Sequence, residues 1–112
     1  MSTSKKIPTS LLPFLVVSSC AKAIAFYQAS FNARIEEQHD MHGGKLMARL
    51  SIDHHGFWVG DEEEEFDNIS PLLFKGTAVR MILVTQNPQS FFDRAVAAGA
   101  VQICPMTHEE AW

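Results

Sequence analysis

The stretch Leu11-Leu12-Pro13-Phe14-Leu15-Val16-Val17, followed at once by a helical pattern over 21–31, decides how this chain is expected to fold. The same order returns in the second half, where Val79-Arg80-Met81-Ile82-Leu83-Val84 precedes a helical pattern over 88–98. Both apolar runs are typical of strands. A repeat of this length indicates two copies of one supersecondary module, with any ligand lying between the copies.

The remaining strands of the first copy follow its helix. Residues 34–39 predict a weak polar strand, and 57–59 predict a short apolar one. Between them, 46–52 alternates apolar and polar residues as a half-buried strand does. The first half therefore predicts a strand, a helix and three further strands, and the whole chain an α+β fold.

The repeat also predicts the division of the chain. A length of 112 residues suits one domain, 1–112, with one hydrophobic core. The first module is expected to cover 8–61, and a linker containing an acidic run covers 62–77. A partial second module, 78–112, ends before its last strands.

Composition argues against several classes of partner. A net charge of −4 provides no basic surface, so we expect no nucleic acid. The first apolar run is too short to span a membrane, and no signal-peptide cleavage pattern follows it. The two cysteines form no metal or redox motif, which is typical of a cytoplasmic protein with reduced thiols.

The acidic run Asp61-Glu62-Glu63-Glu64-Glu65 has two interpretations. One is a site for a hard cation, because carboxylates are the ligands that such ions prefer. The other is a solvated loop. The ligands of a calcium loop are spaced along the chain rather than adjacent, so we favour the solvated loop.

Several motifs resemble one known superfamily. Leu12-Pro13-Phe14-Leu15-Val16-Val17, running into 23–31, resembles the opening of PhnB-like members of the vicinal oxygen chelate superfamily. That superfamily includes glyoxalase I, bleomycin-resistance proteins and extradiol dioxygenases. Lys45-Leu46-Met47-Ala48-Arg49-Leu50 is similar to its third strand, and 93–100 to its second helix. The resemblance implies paired βαβββ modules around a small-molecule cleft, with the second module incomplete at the C-terminus.

The resemblance also identifies positions where metal-dependent members carry ligands. Those positions hold Leu12, Arg49 and Arg80 here, and the fourth falls beyond Trp112. Leucine has no donor atom, and the fixed positive charge of arginine repels a cation. We therefore expect no metal and no cofactor. The histidines are interpreted as solvated turn residues rather than as an alternative ligand set. They are His39, His42, His54, His55 and His108.

The orientation of side chains on the expected strands, together with the resemblance, predicts which residues line the cleft. They are Phe14, Met47, Arg49, Ser51, Arg80 and Ile82, with Trp58 and Trp112 at the rim. Arg49 and Arg80 facing each other would favour a carboxylate, phosphate or phosphonate through bidentate hydrogen bonds. The alternative is that each arginine pairs with a nearby acid and that the apolar residues are ordinary core.

The functional expectation is a metal-free protein that binds or sequesters a small molecule, like the bleomycin-resistance branch. The alternative is a metal-dependent lyase, isomerase or dioxygenase of the same superfamily, which the missing ligands disfavour. An interaction module that works through dimerisation alone also stays open. We expect a homodimer, because an incomplete second module exposes a sheet edge that another copy can cover.

Overall fold

The computed structural model of the protein describes residues 7–66 and 68–104, which form a small α+β fold. Single 3₁₀ turns occur at His42–Gly44 and Glu64–Phe66. The helices and strands are β1 (Phe14–Val17), α1 (Cys20–Phe31), β2 (Arg34–Asp40), β3 (Leu46–Ile52), β4 (His55–Asp61), α2 (Pro71–Phe74) and α3 (Pro88–Ala97). Within these residues no helix is long and apolar enough to cross a membrane.

The four strands form one mixed sheet in the order β1-β4-β3-β2. β1 runs parallel to β4, and the other pairs are antiparallel. The order strand, helix and three strands that the first half predicts is therefore confirmed. The prediction of β1 began at Leu11, whereas the strand begins at Phe14, and β4 extends beyond the predicted 57–59 at both ends.

The hydrophobic core lies between α1 and one face of the sheet. Cys20 and Ile24 of α1 pack against apolar side chains of β3 and β4, of which Leu50 and Val59 are fully buried. Burying a side chain of this size contributes about 1.5–3 kcal/mol. The alternation in β3 sends Ala48 and Leu50 into this core, so Met47 and Arg49 point to the opposite face.

Local capping fixes where α1 begins and ends. The Ser19 side chain accepts a hydrogen bond from the backbone N–H of Lys22 at 3.3 Å. At the other end Asn32 adopts the left-handed conformation, φ 56° and ψ 35°, which asparagine tolerates better than most residues. The helix therefore ends at Phe31, and the chain turns back toward the sheet to begin β2.

Asp61 corrects the interpretation of the acidic run as a solvated loop. Its Oδ1 accepts a hydrogen bond from the backbone N–H of Cys20 at 2.7 Å, and its Oδ2 accepts one from Leu46 at 2.8 Å. Glu62 accepts another from the backbone N–H of Ser70 at 3.0 Å. The exposed residues of the run are Glu64 and Glu65. The run thus begins with a carboxylate that joins α1, β3 and β4.

The second half of the chain departs from the repeat. Residues 79–84, predicted as a strand, have no regular secondary structure, and neither does the predicted strand at 101–103. A strand needs a neighbour to exchange backbone hydrogen bonds, and no described strand pairs with 79–84. Its side chains are consequently exposed, Ile82 by 82% and Val84 by 90%. The predicted boundaries 8–61, 62–77 and 78–112 remain predictions.

The predicted second helix does form, as α3. Its Arg94 guanidinium donates to the Ala29 carbonyl at 3.0 Å and to the Asn32 side-chain oxygen at 2.7 Å. The rings of Phe31 and Phe91 approach to 6.1 Å between centroids. These contacts attach α3 to the C-terminal end of α1. The short helix α2 lies in the segment predicted as a linker.

Candidate ligand-binding face of the sheet

The face of the sheet opposite α1 brings together residues from all four strands. Strand register places Phe14 beside Trp58, Trp58 beside Arg49, and Arg49 beside Glu37. The row therefore runs across β1, β4, β3 and β2 in order. We call this surface the open face, because the described part of the chain gives it no packing comparable to that of α1 on the other side.

An aromatic platform occupies one half of the open face. The rings of Phe14 and Trp58 lie 6.4 Å apart between centroids with planes 16° apart, and those of His39 and Trp58 lie 6.1 Å apart with planes 22° apart. Gly60 makes room for this arrangement, since a Cβ there would fall 2.6 Å from Cζ of Phe14. Phe14 thus lies over Gly60 and stacks with Trp58, and its side chain is 47% exposed.

A polar cluster occupies the other half, with Glu37 at its centre. Arg49 Nε donates to Glu37 Oε2 at 3.0 Å, and His39 Nε2 lies 2.9 Å from Glu37 Oε1. Hydrogen bonds from His39 and then Arg49 hold the pKa of Glu37 below its usual value. Glu37 is therefore a carboxylate near neutral pH. In the described part of the chain, the Nη groups of Arg49 make no hydrogen bond and remain able to donate to a ligand.

A bulge in β2 turns two successive acids toward the open face. The register shifts between Ile35 and Glu37, which leaves Glu36 as the extra residue. The Ser51 hydroxyl donates to Glu36 Oε1 at 2.6 Å, and this hydrogen bond is the main reason that the pKa of Glu36 is lowered. Without the bulge, alternation would place these two acids on opposite faces.

The structure places some of the predicted site residues together and others apart. Phe14, Met47, Arg49 and Trp58 share the open face, as alternation predicts. Arg80 and Ile82 lie exposed in the segment without secondary structure, so the described residues show no cleft in which Arg80 faces Arg49. Trp112 lies outside the described residues. The binding role of these seven residues and of Ser51 remains a prediction.

Two residues of this face, Glu37 and His39, were not predicted as site residues from the sequence. His39 was predicted to be a solvated turn residue, but it lies within β2, where it is hydrogen-bonded to Glu37 and stacked on Trp58. The spacing of 37 and 39 on a strand is the signal that puts both side chains on one face. The alternative interpretation of Arg49, pairing with a nearby acid, matches its contact with Glu37.

The residues at the positions where the resemblance implies metal ligands do not fit a metal ion. Leu12 packs its methyl groups toward Gly56 and has no donor atom. The Arg49 guanidinium donates hydrogen bonds and carries a fixed positive charge. Among residues 7–66 and 68–104, no group of three His, Cys, Asp or Glu side chains is placed to hold an ion. We therefore derive no chemistry through a metal at this face.

A second concavity lies away from the open face. It has a volume of about 770 Å³ and is lined by residues that include Phe31, Asp53, Leu83 and Phe91. It is bounded by the end of α1, the β3–β4 turn and the segment leading into α3. It shares no residue with the open face and is the competing location for a ligand.

The buried cysteine is not a nucleophile. The Cys20 thiol donates to the Val59 carbonyl with a separation of 3.6 Å. Burial, with a smaller contribution from the Asp61 carboxylate, raises the pKa of the Cys20 thiol to about 11. The thiolate needed for nucleophilic attack is therefore scarce at neutral pH.

Comparisons with known proteins bear on the fold. No protein-family model matches the chain, and no curated protein matches it. A gene product of Arabidopsis thaliana has a similar crystal structure, with a TM-score of 0.70 at 24% identity, over 89% of this chain and 80% of that one.

Two fosfomycin resistance proteins, both members of the vicinal oxygen chelate superfamily, are also similar. FosX from Listeria monocytogenes gives a TM-score of 0.58 at 16% identity, over 89% of this chain and 78% of that one. FosX from Mesorhizobium loti gives a TM-score of 0.54 at 12% identity, over 84% of this chain and 72% of that one. The chain has the α+β fold of glyoxalase and bleomycin-resistance proteins, as predicted.

Proposed function

We propose that this protein is a PhnB-like, glyoxalase/bleomycin-resistance-like protein that binds a small anionic molecule on the open face without a metal ion. The observation that carries the proposal is the row formed by Phe14, Trp58 and Arg49. It combines two partly exposed aromatic rings with one cation whose Nη groups make no hydrogen bond in the described part of the chain. Apolar walls with a few polar groups are what a small-molecule site needs.

The aromatic half of the open face suits the apolar part of such a ligand, and the polar half suits its anionic part. A planar apolar group can pack on Phe14 and Trp58, because aromatic rings favour offset stacking. A carboxylate, phosphate, phosphonate or sulfonate can accept from Arg49. Glu37 holds the Arg49 side chain through Nε, so little side-chain freedom is lost when the ligand binds.

A titration followed by Trp58 fluorescence tests the proposal. The chain has two tryptophans, so a Trp112→Phe variant leaves Trp58 as the sole reporter. Benzenesulfonate provides an aromatic ring and an anion, while benzenesulfonamide provides the same ring without the charge. We expect benzenesulfonate to bind more tightly by roughly tenfold or more, since a hydrogen bond to a charged group contributes about 1.5–3 kcal/mol.

Three outcomes of these measurements would count against the proposal. Equal affinity for the two compounds would contradict the anionic preference. A Trp58→Ala variant that binds benzenesulfonate with unchanged affinity by calorimetry would place the ligand elsewhere. Listeria FosX was solved with Mn(II) and sulfate, so the titration is repeated with Mn(II). An affinity that rises with Mn(II) would favour the alternative, a metal-dependent lyase, isomerase or dioxygenase.

The cysteines support assignment to the cytoplasm as part of the proposal. Cys20 is buried and Cys104 exposed, and both are free thiols in the structure. Reducing compartments keep thiols in this state. Fractionation of cells that express the full natural chain, followed by immunoblotting, tests the location, and recovery with the membranes or the medium would contradict it.

We also propose a homodimer as the working unit. The open face leaves Phe14 and Met47 partly accessible, and the segment 79–84 exposes several large apolar side chains. A second copy can cover the segment 79–84 and form the opposite wall of a cleft over the open face, with the ligand between the two copies. Twofold symmetry is the commonest arrangement of such assemblies. Sedimentation equilibrium at micromolar concentration is expected to give twice the mass of one chain. A monomer mass for the full natural chain would refute this.

A further inference from the structure

Five charged or titratable side chains share the β2 half of the open face. Arg34 and Arg49 are positive, and Glu36 and Glu37 are negative, because the pKa values of both carboxyl groups are lowered. These four charges cancel. The fifth group is His39, bonded to Glu37. The net charge of the cluster is therefore set by whether the imidazole carries a second proton.

Glu37 also fixes how His39 is protonated. An ionised carboxylate can only accept, so the imidazole nitrogen 2.9 Å from it, Nε2, must carry hydrogen. In neutral His39 the other nitrogen, Nδ1, is then the basic one. The ring is held in place from its other side by the stack on Trp58. His39 is thus an oriented acid–base group beside the same carboxylate that holds Arg49.

We propose that His39 is a further ligand-binding residue of the open face, and that a small anion binds there together with one proton, which His39 takes up at Nδ1. This rests on the proposed function, because the anion is the one held by Arg49. With His39 neutral, the cluster has no net charge, and only the Arg49 guanidinium attracts the anion. With His39 protonated, the cluster carries one positive charge next to the aromatic platform.

The sign of the pH dependence follows from linkage. An anion near Arg49 favours the charged form of His39, and by reciprocity protonated His39 favours the anion. Imidazole changes charge between about pH 5 and 8. Affinity should therefore rise as the pH falls through this range. The other side chains of the neighbouring strands on this side of His39 are Met47 and Arg49 on β3 and Trp58 on β4.

One neighbouring group could imitate the effect. His54 in the β3–β4 turn lies close enough to lower the pKa of Glu36 through its charge. It has a left-handed backbone, φ 72°, which asparagine tolerates. A His54→Asn variant is therefore the matched control for a His39→Gln variant.

Isothermal titration calorimetry with benzenesulfonate tests the proposal, since this anion does not titrate in the range used. Runs in two buffers with different ionisation enthalpies give the number of protons taken up on binding. We expect uptake of about half a proton near neutral pH, together with an affinity roughly tenfold higher at about pH 5.5 than at about pH 8, because the two quantities are linked. His39→Gln should abolish both effects, and His54→Asn should keep them.

The outcomes separate this inference from the proposed function. Binding that depends on Arg49 but shows no proton uptake would overturn the role of His39 alone. Proton uptake that survives in His39→Gln would do the same. Absence of benzenesulfonate binding at both pH values would overturn the proposed function and this inference together.

Discussion

An Asp61→Ala variant is expected to unfold with a free energy about 3 kcal/mol below that of the unchanged protein. The substitution removes two charge-assisted hydrogen bonds, to the backbone N–H groups of Cys20 and Leu46. Each such bond contributes about 1.5–3 kcal/mol to stability. Because Asp61 is partly exposed, we expect each of its two hydrogen bonds to contribute near the lower end of that range. Urea unfolding followed by circular dichroism measures the change.

Two further variants serve as controls for Asp61. Asp61→Asn keeps one acceptor oxygen and should lose roughly half as much stability. Glu65→Ala removes an exposed acid from the same run and should change the free energy of unfolding by less than about 0.5 kcal/mol. If Asp61→Ala behaves like Glu65→Ala, the carboxylate does not join α1 and β3 as described.

The second large effect is expected for Arg49→Ala, which should weaken benzenesulfonate binding by roughly 10- to 100-fold. The variant removes the donors to the anion and leaves the Glu37 carboxylate without its cation, so the remaining charge repels the ligand. Fluorescence titration of Trp58 in the Trp112→Phe background measures the loss. Arg49→Lys keeps the positive charge but loses the planar guanidinium. Its affinity for benzenesulfonate should lie between those of the unchanged protein and Arg49→Ala.

Arg34→Ala provides the matched control for charge. Arg34 belongs to the same cluster and faces Ser51, farther from the aromatic platform than Arg49 in the strand register. Removing Arg34 changes the net charge by the same amount as removing Arg49, but it takes away no hydrogen-bond donor beside Trp58. We expect a loss severalfold smaller than for Arg49→Ala. Equal losses would mean that general charge, rather than the position of Arg49, governs binding.

The parts of the fold that the sequence predicted are those set by local pattern. The alternation in 46–52 assigns Ala48 and Leu50 to the core and Arg49 to the other face, because side chains on a strand alternate. The apolar stripe and the terminal asparagine placed α1 correctly. These features depend on residues a few positions apart, which one sequence displays directly.

The parts that it failed to predict depend on partners distant in sequence. Residues 79–84 have the pattern of a strand, but a strand forms only where another strand pairs with it. Asp61 resembles its acidic neighbours until the structure brings Cys20 and Leu46 to its oxygens. The site residue His39 was missed because its partner across the sheet, Trp58, cannot be recognised from spacing alone.

NMR chemical-shift mapping of a benzenesulfonate titration tests whether a small anion binds on the open face. We expect the largest shifts on Phe14, Met47, Arg49 and Trp58, and much smaller shifts with benzenesulfonamide at the same concentration. Shifts confined to the groove around Phe31, Asp53 and Leu83, or no shifts at all, would contradict it.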